Sequence, residues 1–167
     1  LLERLKSATI IASVQPHFKV SDVWVPQRVG AHRAKIVYAL RSLRRRCVTI
    51  GGSDCPVEPI DPLEGIQAAV AKVSESYGEQ VSTRAAVEMF TKNAAYATHE
   101  EKSKGSIEVG KVADLVVLDR NPFRVDTDEI SKIKVLATIV GGRIVYASEA
   151  FRAMQLRSGR DQRARKH

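Results

Sequence analysis

The 167 residues predict an α/β fold in two parts: a short parallel sheet with helices, then a small antiparallel unit. Three observations carry this. Two nearly continuous apolar runs, Thr9 to Val14 and Val48 to Ile50, flank a stretch with helical periodicity. Helical patterning then continues to about Ala97. After Lys104 the period changes to short apolar strands punctuated by turn residues.

Each element has a local reason. The run Thr9-Ile10-Ile11-Ala12-Ser13-Val14 suits a strand buried on both faces of a parallel sheet. A polar loop with Pro16 and Pro26 follows. From Gly30 to Arg46, Ile36, Leu40, Leu43 and Cys47 share one helical face, while Arg33, Arg41, Arg44 and Arg45 fall largely outside it. Val48-Thr49-Ile50 is a second strand, closed by Gly51-Gly52. Strand, helix and strand in this order make a crossover with parallel, adjacent strands. Asp61 can cap the next helix, with Pro62 at its first position and Glu64 at the capping-box position. Leu63, Ile66, Val70 and Val73 form its buried stripe. A further helix spans Thr83 to Ala97, with Val87, Phe90, Ala94 and Ala97 inward. Leu115 to Leu118 is a strand ended by Asp119-Arg120-Asn121-Pro122. Val135 to Val140, Gly141-Gly142 and Arg143 to Tyr146 read as a hairpin on a two-residue glycine turn.

Composition narrows the function classes. Apolar content of 44% and charged content of 28% fit a globular protein with a core. No apolar run approaches the roughly 20 residues of a membrane helix, and Leu1 to Val14 lack the order of a signal peptide. Cys47 and Cys55 make no disulfide framework, so free thiols and a cytoplasmic location are expected. The chain opens with Leu-Leu-Glu, which reads as a fragment or a truncated frame. Net charge is +8, concentrated after Phe151 in Arg152, Arg157, Arg160, Arg163, Arg165 and Lys166 against Asp161. Arg41, Arg44, Arg45 and Arg46 form a second cluster. A basic nucleic-acid-binding module is one reading of this balance. A solvated helix face and a basic tail are the plainer one, because no aromatic residues interleave the cations.

Ligands of parallel α/β sheets bind beyond the C-terminal strand ends. His17 and Asp54 stand there, after the first and second strands. A carboxylate so placed can bind a metal or take a proton from a metal-bound water. The plainer alternatives are a turn-capping Asp54 and an ordinary loop histidine. The histidines are His17, His32, His99 and His167, without ligand spacing, whereas a catalytic zinc site typically takes three protein ligands. Cys55 and Ser53 lack a placed base, so neither reads as a nucleophile.

Six segments, in the family's order, resemble the amidohydrolase superfamily, closest to its family-3 members, which include N-acyl and N-formyl amide hydrolases. Ala12-Ser13-Val14-Gln15-Pro16-His17-Phe18 is similar to the seventh-strand motif, and Gly52-Ser53-Asp54-Cys55-Pro56-Val57 to the end of the eighth barrel strand. Gln27 to Arg33 and Tyr38 to Leu43 resemble the helix between them. Lys104 to Asp119 matches the return into the β-sandwich, and Thr138 to Tyr146 its last hairpin. The resemblance implies a C-terminal fragment of a (β/α)₈ amidohydrolase barrel, residues 1–103, with part of an accessory β-sandwich, 104–149, and a basic tail, 150–167. Such barrels usually need about 250 residues. It implies a metal-dependent hydrolase of non-peptide C–N amide bonds, acting on a small amide with a divalent metal, zinc first. Asp54 matches the aspartate that ligates the metal and shuttles the proton of the attacking water. His17 matches a histidine expected to contact substrate. The family's first-strand His-x-His and its fifth- and sixth-strand histidines would lie upstream of Leu1, so an inactive remnant is the alternative. Open strand edges further imply a homo-oligomer or an aggregation-prone piece. The chain departs from the family at Arg46-Cys47, where a small residue and glycine are usual, and at Asn93-Ala94-Ala95, where Asn-Pro-Ala is common in the wider superfamily.

Overall fold

A computed structural model describes residues 3–4, 10–73 and 78–155. Most of the basic tail, from residue 156 on, and Thr9 of the first strand lie outside the described residues. Strand β1 (Ile11–Val14) pairs in parallel with β2 (Val48–Gly51), Ile11 opposite Val48 and Val14 opposite Gly51. The expected adjacency holds. β1 is nonetheless half-buried, with Ser13 exposed, because among the described residues β2 is its one sheet neighbour.

The crossover between the strands differs from the single helix expected over Gly30 to Arg46. It contains four short helices: α1 (Phe18–Ser21), α2 (Val25–Val29), α3 (Ala31–Ala34) and α4 (Leu40–Arg44). The break falls at Tyr38, whose φ is 52°. Tertiary hydrogen bonds hold it there. The Tyr38 hydroxyl donates to Asp22 Oδ2, and the Tyr38 carbonyl accepts from Glu79 N at 3.1 Å and Leu40 N at 2.8 Å. Of the expected stripe, Leu40 is buried, Leu43 and Cys47 are half-buried, and Ile36 is 68% exposed. The unusual Arg46-Cys47 pair still turns the chain into β2. Arg46 N and Cys47 N both donate to Leu43 O, and Arg46 Nη1 to Ser42 O at 3.0 Å.

Helix α5 (Pro62–Val70) starts where the sequence places it, with Asp61 Oδ1 accepting from Leu63 N at 2.8 Å. It ends at Val70, leaving Val73 39% exposed. The expected helix over Thr83 to Ala97 divides at Thr91 into α6 (Thr83–Phe90) and α7 (Lys92–Ala97). The bend lets Asn93 Nδ2 donate to the Thr49 carbonyl of β2 at 3.0 Å. The inward residues are Ala85, Ala86, Met89 and Ala95, with Val87 and Phe90 packed at the margin.

The second unit is a three-stranded antiparallel sheet, β3 (Leu115–Leu118), β4 (Val135–Val140) and β5 (Arg143–Ala147), with β4 central. Gly141 and Gly142 have φ of 55° and 78°, the backbone a two-residue hairpin turn demands. A 3₁₀ helix (Thr127–Lys132) and Ile133 carry this unit into the main core. Ile130 and Ile133 pack with Leu63, Ile66, Ala69 and Met89. Residues 149–155 are helical.

Two internal constraints stand out. The Phe90 ring is held between β2 and α5, so a Cβ on Gly51 would lie 2.5 Å from it, and one on Gly65 2.6 Å. Gly51→Ala is therefore expected to cost about 1–3 kcal/mol in urea unfolding. Combining it with Phe90→Leu should cost less than the two single changes together.

The other is Lys19 on α1, 1% exposed. Its Nζ donates to three carbonyls: Ala69 at 3.3 Å, Ala71 at 2.7 Å and Glu79 at 3.3 Å. Ala69 and Ala71 lie at the C-terminal end of α5, where partial negative charge favours a cation. Burial still pushes the Lys19 ammonium down from 10.5 to about 8. Between those two values the unfolded chain binds the proton that the folded chain has lost. Stability should therefore rise with pH across that window. Compared with Lys19→Met, the wild-type chain should gain up to about 3 kcal/mol between about pH 7 and pH 11 in urea titrations. A constant difference would show that the ammonium is solvated.

Candidate active-site edge

The parallel register brings the loops after β1 and β2 to one edge of the sheet. The first loop carries His17, which opens α1 as its N-cap. The second carries Asp54. It is fastened near its start, where Gly52 N donates to Val14 O at 2.9 Å. A turn follows, with Val57 N donating to Asp54 O at 2.9 Å. Asp54 occupies the left-handed region, φ 58°, and is exposed. Asp and Asn tolerate that conformation better than other side chains. Turn geometry and any chemical role thus select the same residue type here.

The second loop returns to the first through Glu58. One carboxylate oxygen of Glu58 accepts from the Ser21 hydroxyl, and the other lies 2.5 Å from His17 Nδ1. That second contact is close, yet it leaves the buried Nδ1 without a well-formed hydrogen bond. The Ser21 hydrogen bond first, and contact with His17 after it, outweigh the opposing effect of burial and hold Glu58 below the usual carboxylate range. His17 Nε2 faces Glu64 Oε2 at 3.8 Å, beyond hydrogen-bond length. Glu64, expected in a capping box, thus borders His17 as well. His17, Val20, Glu64, Gln67 and Ser131 line a cleft of about 220 Å³. The larger groove, about 520 Å³ between α7 and β3, contains neither His17 nor Asp54.

His17 is tied to the loop that carries Asp54 through Glu58, a residue with no such sequence signal. Glu58 carries no sequence signal beyond lying four positions after Asp54. Ser21 and Lys19 are equally silent, and Glu64 carries a capping signal but none for a place beside His17. Among the described residues, no group of three or more His, Cys, Asp or Glu side chains is arranged to hold a metal ion. By themselves these residues do not fit a catalytic zinc, which typically takes three protein ligands. Both cysteines are free, Cys55 exposed and Cys47 half-buried. No helix among the described residues is long and apolar enough to cross a membrane. In the arginine cluster, Arg44 pairs with Glu88, Arg46 with Glu3, and Arg41 Nε donates to Gln80 O at 3.2 Å.

The positive φ allows strain to be separated from chemistry. Asp54→Asn and Asp54→Gly are expected to unfold in urea close to the wild-type midpoint. Asp54→Ala should lose about 1 kcal/mol. A stable Asp54→Ala would mean that the turn relaxes.

Comparison with known proteins then supplies the lineage. The amidohydrolase family model matches residues 1–146. A Bacillus subtilis protein named as an amidohydrolase, YtcJ, is 37% identical over 156 residues, covering 87% of this chain and 30% of that protein. The N-substituted formamide deformylase of Arthrobacter pascens is 34% identical over 116 residues, 66% of this chain and 21% of the deformylase. Among solved structures, an uncharacterized metal-dependent hydrolase from Pyrococcus furiosus superposes with a TM-score of 0.68 at 40% identity, over 74% of this chain and 26% of that one. The chain thus spans about a third or less of the length of these relatives. With a family model across most of its length and relatives above 30% identity, the chain belongs to the amidohydrolase family, in its family-3 branch.

Proposed function

We propose that these residues form the C-terminal part of a metal-dependent hydrolase acting on non-peptide C–N amide bonds. β1 and β2 serve as the seventh and eighth strands of a (β/α)₈ barrel, within residues 1–103. β3 to β5 contribute to an accessory β-sandwich, 104–149, and 150–167 is a basic tail. The observation that carries the reading is the in-register parallel pair, which sets His17 and Asp54 on loops at one strand edge. Family membership supports it, as does the N-substituted formamide named for one relative.

In this reading the Asp54 carboxylate takes the proton of the attacking water and returns it to the leaving amine. His17 contacts the substrate. The relative from Pyrococcus furiosus is named as metal-dependent, and we extend that to this protein. A divalent metal, zinc first, would be held by ligands beyond the described residues, with Asp54 adding one carboxylate. The protein works on small amides in the cytoplasm and forms a homo-oligomer.

A second reading is favoured by the lack of a three-ligand cluster among the described residues. In it, the protein is an inactive remnant of such an enzyme. One experiment decides between the two. The longest in-frame product containing these residues is assayed on N-formyl and N-acyl amides with added zinc. Hydrolysis is expected, and Asp54→Asn should lower kcat by about 10²-fold or more. Full activity in Asp54→Asn would remove Asp54 from the chemistry, and an inactive parent would establish the second reading.

A further inference from the structure

The edge holds a carboxylate that the proposed reaction does not use. Glu58 is nearly enclosed, its side chain 11% exposed, and each of its oxygens is committed. One takes the Ser21 hydroxyl and the other approaches His17 Nδ1. Ser21 belongs to the first loop as well, since Ser21 N donates to His17 O at 3.1 Å. A single side chain from the Asp54 loop therefore grips the His17 loop at two points.

The 2.5 Å approach limits where the proton is. Two lone pairs at that separation would repel, so one of the two groups carries a proton. Glu58 is the weaker holder, because the Ser21 hydroxyl and His17 favour its ionised form. The proton belongs on Nδ1. In a neutral imidazole the other nitrogen is then an acceptor. Nε2 stands at the cleft with Glu64, whose carboxylate is also an acceptor, at 3.8 Å and too far to satisfy it. With the ring neutral these are two acceptors side by side, and a ligand N–H placed between them would satisfy both.

We propose that Glu58 is the positioning residue of this edge: it fixes His17 with its proton on Nδ1 and so leaves Nε2, beside Glu64, to accept an N–H of the bound substrate. The proposal rests on the amide-hydrolase reading only for the substrate's name, since the donor requirement follows from the two acceptors. It selects primary and secondary amides, or amides bearing an amino group, over fully substituted amides that present no N–H. It also gives Glu58 a second task, anchoring the far end of the loop that carries Asp54.

The test is spectroscopic and needs no turnover. The longest in-frame product containing these residues is labelled with ¹⁵N-histidine and its ring nitrogens are read by long-range ¹H–¹⁵N correlation at about pH 8. His17 is assigned by the signals missing from His17→Gln. The expected wild-type pattern is a protonated Nδ1 and an unprotonated Nε2. Glu58→Ala should lose it, giving the tautomer mixture of exposed His32, while Glu58→Gln, whose amide oxygen can still accept, should keep it. Should Glu58→Ala fail to fold, wild type and Glu58→Gln decide alone. An Nε2-protonated or averaged His17 in wild type overturns the proposal, as does an unchanged pattern in a folded Glu58→Ala. Because none of these signals requires hydrolysis, they stand or fall apart from the Asp54→Asn assay.

Discussion

Four backbone partners, Ile11 with Val48 through Val14 with Gly51, set the position of everything chemical in this chain. A parallel ladder fixes both strand direction and offset. Since the strands are level at Val14 and Gly51, the loops that follow leave from the same edge. In an antiparallel pair His17 and Asp54 would leave from opposite ends. A slip of one residue would turn every side chain of one strand to the other face. The short strands suffice because helices buttress β2. Leu40 of α4 is buried in the core, Asn93 of α7 bonds the Thr49 carbonyl, and the Phe90 ring fills the space left by Gly51.

Register alone does not hold loops, and here each is tied down by charge. Lys19, two residues after His17, inserts into the C-terminal carbonyls of α5 and the carbonyl of Glu79. Gly78, with φ of 68°, leaves room for its stem, since a Cβ there would meet Lys19 Cγ at 2.8 Å. Taking an ammonium out of water is costly, and a lysine at this depth is uncommon without partners. Three carbonyls satisfy its three donors, so the cost is offset and the His17 loop is locked to α5. Glu58 does the corresponding work for the Asp54 loop. Two buried or nearly buried charges thus hold an edge that backbone pairing merely aligns.

What could be read from sequence follows from the range of the interactions. Local signals survived well: the apolar runs of both sheets, the Asp61 cap, the Gly141-Gly142 turn. Each depends on neighbours a few positions away. The helix over Gly30 to Arg46 was misjudged because its break at Tyr38 is set by Asp22 and Glu79, distant in sequence. Ile36 fitted the stripe and ended up in solvent for that reason. The same holds at the edge. Asp54 and His17 were visible because a strand end followed by a polar residue is a local pattern. Glu58, Ser21 and Lys19 act through partners 37 to 60 positions away, and no periodicity encodes those.

The two units also share a core, which bears on how a site at this edge can work. Ile130 and Ile133, from the antiparallel half, pack against α5, and Gln67 Oε1 of α5 accepts from Ser131 N at 2.8 Å. Gln67 and Ser131 both line the His17 cleft. The wall of that cleft is therefore built from both units, and α5 carries Glu64 on the same side. Asp54 stands outside this enclosure, exposed on its turn. A carboxylate surrounded by water exerts a screened field and orders a reacting water weakly. His17, by contrast, lies in a cleft and is 24% exposed. The residues described here thus enclose His17 more than they enclose Asp54.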